Sequence, residues 1–129
     1  RRKPRLNQGD LVWVKYRKDW WPSYIKNAYP KERKFSIYFI ACEQKSGIKI
    51  GTKNVQKLYI FDVPSFVNQN QEGFSAALHL CKLYHKLKGA GNTICAHDFF
   101  SMSPQGKIRL QYCKHEAIYL EFNMGNLCA

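Results

Sequence analysis

The sequence predicts a mainly β fold with a helical extension: a small curled sheet or barrel, followed by a helical segment. Three observations carry that expectation. Short runs rich in β-branched and aromatic residues recur at close intervals between residues 9 and 62, separated by clusters of Gly, Pro, Asn and charge. After Phe61 the apolar spacing changes from strand-like to helical. The length of 129 residues suits one domain, large enough to hold a core without disulfide staples.

The elements follow in order. Residues 1–8, RRKPRLNQ, form a basic arm. LVWVKY, Leu11 to Tyr16, is apolar at first and then alternates, as a strand does when it leaves a core for a surface. Ser23 to Ala28 reads as a second strand, and NAYPKERK has the chemistry of a turn. Lys34 to Cys42 (KFSIYFIAC) is the richest in strand-forming residues. EQKSG turns the chain into a short strand at Ile48 to Ile50, and GTKNVQKLYIF ends the β region. DVPSFVNQNQ is a polar connection. From Glu72, Phe74, Ala77, Leu78, Cys81, Tyr84 and Leu87 recur at helical spacing, with Lys82, Lys86 and Lys88 in the last turns and a stop at Gly89-Ala90-Gly91. Apolar groups surround much of this helix, so it is expected to be packed. From Lys107 the pattern fits a hairpin, while Glu116 to Met124 fits a short helix equally well. The expected organisation is a single domain: arm at 1–8, β-barrel at 9–62, helical extension at 63–129.

Charge and cysteine usage narrow the function. There are 21 Lys and Arg against 9 Asp and Glu, a net charge of +12, which favours a polyanionic partner such as nucleic acid. A membrane is not expected as a partner, because no stretch approaches the roughly 20 apolar residues of a spanning helix, and no secretory signal is visible. The first residue is Arg1 and not Met, which suggests a piece of a longer protein. The five cysteines are odd in number and widely spaced without a CxxC pair, a pattern of free thiols in a reducing compartment.

Cys95-Ala96-His97 and Cys113-Lys114-His115 together offer two thiolates and two imidazoles. Their single-residue spacing chelates poorly compared with the two to four usual in structural zinc sites, so neither metal nor cofactor is expected. Nothing supplies a third orienting group or an oxyanion hole for a Cys/His nucleophile. Paired carboxylates and a Gly-rich phosphate loop are missing too, so an enzyme is not expected.

One stretch is more specific than composition. GDLVWVKYRKDWWPSYI, Gly9 to Ile25, resembles the PWWP family, whose first strand reads roughly G-D-L-V-W-A-K and whose second begins at Pro-Trp-Trp-Pro. Gly9, Asp10, Leu11, Val12, Trp13 and Lys15 match the first part; Trp20, Trp21, Pro22 and Ser23 match the second. Asp19 stands where the family usually has proline, and the link from Lys15 to the tryptophans is one residue shorter than in many relatives. The match covers about the first half of the chain, and the segment after Asp62 is consistent with the family's variable helical tail.

The resemblance implies a five-stranded barrel followed by helices, and a non-catalytic chromatin reader with an aromatic cage for a methylated lysine. The family's three cage positions fall on Tyr16, Trp21 and Phe39. A trimethylammonium donates no hydrogen bonds and is weakly hydrated, so it gains from π faces that an unmodified ammonium must desolvate to reach. Trp13 and Trp20 are expected in packing roles.

The family's DNA contacts, made by cations near the barrel edge, carry over to Lys15, Arg17, Lys18, Lys53 and Lys57. These would touch phosphates and ignore sequence. The implied partners are nucleosomal DNA and a methylated histone H3 tail, the implied compartment the nucleus, with RRKPR as a candidate localisation signal. Two alternatives remain: a sequence-independent nucleic-acid binder with an incomplete cage, and a protein-interaction module using the helix at 72–88.

Overall fold

The computed structural model describes residues 5–102; the expected hairpin or helix at 107–124 and the Cys113/His115 pair lie outside the described residues. The chain forms β1 (Leu11–Tyr16), β2 (Asp19–Tyr29), β3 (Lys34–Phe39), β4 (Ile48–Gly51), β5 (Val55–Lys57), α1 (Phe74–Gly89) and α2 (Ala96–Ser101), with 3₁₀ turns at Pro30–Glu32 and Thr52–Asn54. It divides into two compact units inside α1, after Cys81.

The first unit holds one antiparallel sheet in the order β4-β3-β2-β1-β5. The five-stranded curled barrel expected from the sequence is therefore corrected to an open sheet that is neither closed nor strongly curled, with β4 and β5 as its edges. Strand direction explains the opening. Each neighbour is antiparallel, so β4 and β5 run the same way. A parallel pair needs a crossover of a dozen or more residues, and only the Thr52–Asn54 turn separates these two.

Register sorts the side chains. Val14 lies opposite Trp21, Ser23 opposite Phe39 and Ile25 opposite Ile37. One face therefore carries Val12, Val14, Ile25, Ile37, Ile50 and Val55, which pack as a buried cluster with Leu6, Phe35, Phe39 and Ile48 against it. The other face carries Trp13, only 1% exposed and stacked on Phe74 at 6.0 Å, and the stacked pair Tyr24 and Tyr38 at 5.5 Å.

The Gly9-Asp10 dipeptide clamps the entry to β1. Gly9 adopts φ +89°, a left-handed conformation that a side chain resists. In that conformation its N–H donates to the Ile25 carbonyl at 2.8 Å, while the Asp10 carbonyl accepts from the Ile25 N–H at 3.0 Å. The Asp10 carboxylate accepts from the Asn7 N–H at 2.9 Å, closing a tight turn.

In the second unit Tyr84 lies 5.4 Å from Phe99 and 5.3 Å from Phe100, and these two rings meet edge to face at 5.0 Å. α1 stops where expected: Gly91 takes φ +94°, and the Asn92 N–H returns to the Leu87 carbonyl at 3.0 Å. α2 was not anticipated, because six residues are too few for a helical period to show.

Two outcomes are expected. Gly9→Ala meets no atom within 4 Å of its new Cβ, so its cost is purely conformational, about 1–2 kcal/mol in urea denaturation. The Cys81 thiol is pushed up to about 12 from 9.0 by burial. Ionisation thus favours the unfolded chain only at alkaline pH: stability from this group is full below about 9 and falls as pH rises toward 12. Native Cys81 should therefore resist a thiol reagent at neutral pH and react once denaturant is added.

Candidate functional site

Proline in a central strand leaves a ladder position without its donor. Pro22 sits there, in β2 between β1 and β3. The Ile40 N–H donates to the Pro22 carbonyl at 3.0 Å, and in an antiparallel pair the Ile40 carbonyl would accept the returning N–H of residue 22. Proline has none. The Trp21 indole Nε1–H donates to that carbonyl instead, at 2.8 Å. The Trp-Pro dipeptide thus supplies a side-chain donor for the backbone donor it removes.

This bond fixes the Trp21 ring. Its Cη2 edge faces Gly73, where an added Cβ would stand 3.8 Å away, and the ring meets Phe74 edge-on at 6.0 Å. Phe74 therefore contacts both Trp13 and Trp21. Trp20 packs on Phe66 at 4.8 Å, and its carbonyl accepts from Gln71 Nε2 at 3.0 Å. The packing roles expected for Trp13 and Trp20 match these contacts.

Tyr16 and Phe39 end the strands that flank β2, and register puts them on the same face as Trp21. Their rings meet at 5.3 Å with planes inclined by 56°, and Tyr16 is 40% exposed. They form an aromatic corner open to solvent. Among the described residues the ring partner of Trp21 is Phe74, so the sequence-predicted trio is arranged as a Tyr16–Phe39 pair with Trp21 anchored at the adjacent carbonyl of Ile40.

Gln44, absent from any sequence expectation, holds the Phe39 side of the corner. Its Oε1 accepts from the Phe39 N–H at 2.6 Å, and its Nε2 donates to the carbonyls of Ser46 at 3.2 Å and Ile37 at 3.4 Å. It thereby ties down the loop after β3, which turns at Ala41 with φ +64°. Only the fold brings Gln44 back to Phe39; a glutamine in a polar loop carries no sequence signal.

Cations adjoin the corner. Lys15, Arg17 and Lys18 are exposed in and beside the β1–β2 turn, where Arg17 takes φ +62°. The Arg17 guanidinium lies over the Tyr16 ring, 5.4 Å from its centroid. Val55 pairs with Val14, so the turn carrying exposed Lys53 adjoins the same end of β1. Lys57 is set apart, opposite Val12 further along the ladder. Among the described residues no cluster of three or more His, Cys, Asp or Glu exists to hold a metal, and no helix is long and apolar enough to cross a membrane.

The family model described as "MUM1-like, PWWP domain" matches residues 6–81, more than half of the chain. That span covers the whole sheet and the first part of α1, including Trp21, Phe74 and Gln44.

The indole's role is testable by a double-mutant cycle. Trp21→Phe should cost about 1–2 kcal/mol by stranding the Ile40 carbonyl. In a Pro22→Ala background, where a backbone N–H is restored, the same change should cost at least 0.5 kcal/mol less, as read by denaturant midpoints.

Proposed function

The chain belongs to the PWWP domain family, whose members are non-catalytic chromatin readers, and from that premise we propose that it binds nucleosomes through two adjoining surfaces. One is the aromatic corner of Tyr16 and Phe39, flanked by Trp21, which takes a methylated lysine of the histone H3 tail. The other is the cationic turn of Lys15, Arg17, Lys18 and Lys53, which takes DNA phosphates without regard to sequence. The observation carrying this reading is the exposed Tyr16–Phe39 corner directly beside the cations.

The chemistry suits a weak, composite contact. A quaternary ammonium over each ring contributes about 0.5–2 kcal/mol, too little to overcome association entropy alone. Phosphate contacts at the neighbouring turn add to it, because a histone tail leaves the nucleosome beside DNA. Lys57 is left out of this surface because of its place on the ladder. Such a partner places the protein in the nucleus.

Nucleosomes bearing a trimethyl-lysine at one H3 position at a time, with bare DNA alongside, test the proposal. Tyr16→Ala should erase the preference for the methylated nucleosome while bare-DNA affinity changes less than twofold. Arg17→Glu with Lys18→Glu should lower DNA affinity about tenfold or more and flatten its log–log salt dependence by about 0.9 per lost phosphate contact. Equal binding of every methylated and unmodified nucleosome by the unmutated chain would reduce the function to plain polyanion binding.

A further inference from the structure

A cavity of about 410 Å³ opens on the first unit, and neither the two aromatic-corner residues nor Trp21 lines it. Its walls are Leu6, Phe35, Val55 and Tyr59, with Thr52, Gln56 and Lys57 as polar groups at the lining. The volume is within the roughly 300–1,000 Å³ of ligand sites. Its composition, apolar walls with few polar groups, is that of a pocket for an apolar side chain. Tyr59 is 53% exposed, so part of this wall faces solvent.

The cavity adjoins an unpaired sheet edge. β5 pairs with β1 alone. The Leu58 N–H donates to the Leu11 carbonyl at 3.1 Å, so by strand alternation Gln56 and Leu58 direct their backbone groups at β1 while Lys57 directs its N–H and C=O away from it. A backbone donor and acceptor thus lie alongside an apolar pocket, the pairing of features by which an extended peptide adds to a sheet. Charge selects the kind of peptide. No Asp or Glu lines the cavity, Lys57 does, and Lys53 is exposed one turn before it.

We infer that the β5 edge is a docking site for an extended acidic segment of a partner protein, which adds a short strand beside Lys57 and inserts one large apolar side chain into the cavity. Alternating residues of a strand point to opposite sides. Lys57 shares the cavity's side of β5 with Val55, so the matching ligand carries its apolar anchor with carboxylates two residues to either side, on the same side of its strand and within reach of Lys57 and Lys53. Duplex DNA satisfies the cations but has nothing to fill the apolar walls.

The probe is the capped peptide Thr-Glu-Thr-Phe-Thr-Glu-Thr, titrated into the ¹⁵N-labelled chain and followed by amide chemical shifts. Saturable shifts should cluster at Leu6, Thr52 and Val55 to Tyr59. A peptide with Ser in place of Phe should bind at least fivefold more weakly, as should the native peptide to Lys57→Glu and to the cavity-filling Thr52→Trp. Should Thr52→Trp lose its folded spectrum, Tyr59→Ala, at an exposed wall, must show the same loss. Absence of saturation overturns the inference. So do shifts centred on Lys15 to Lys18, equal affinity for the Ser peptide, or unchanged affinity in the folded cavity variants. None of these results depends on methyl-lysine or DNA binding.

Discussion

The bond from the Trp21 indole to the Ile40 carbonyl is the constraint on which the sheet depends. β2 is the central strand, and Pro22 within it would leave the Ile40 carbonyl unpaired at the point where β3 ends. An unsatisfied buried acceptor costs about 1–3 kcal/mol. Substituting an indole N–H removes that cost and also sets the ring's position against Gly73 and Phe74. The residue that repairs the ladder is thus the one that orients the start of α1. This couples the strand motif to the helix that follows it within the same unit.

Local patterns were legible. The β1 boundaries, the start of β3, the turn after β2, β4 and the helix beginning near residue 74 all follow from composition and period. The beginning of β2 was not, since Pro22 reads as a strand breaker and the indole that compensates for it is visible only in three dimensions. β3 ends at Phe39, earlier than its apolar run suggests, because the left-handed turn at Ala41 and the Gln44 side chain take over the backbone there. The open sheet was missed for a different reason. Closure depends on the relative direction of β4 and β5, a property of the whole topology that no window of residues contains.

The candidate site divides in the same way. The motif identified Tyr16, Trp21 and Phe39, and register does place all three on one face. It did not show that Phe74 would claim the Trp21 ring, or that Gln44 would fasten Phe39. Among the cations, Lys15, Arg17 and Lys18 are adjacent in sequence and so adjacent in space. Lys53 joins them through pairing of β5 with β1, whereas Lys57, four positions on, is carried away by the rise of the strand.

The Arg17 guanidinium over Tyr16 gives the aromatic corner a resident cation. An ammonium seeking that ring would compete with it, so on the proposed reading the affinity for an isolated methylated peptide would be reduced by the work of evicting Arg17. A phosphate that draws the guanidinium off the ring does part of that work beforehand. Under the proposed function, thermodynamic reciprocity would make the two ligands mutually reinforcing by an equal factor, and the corner would act as a coincidence detector with its threshold set by one arginine.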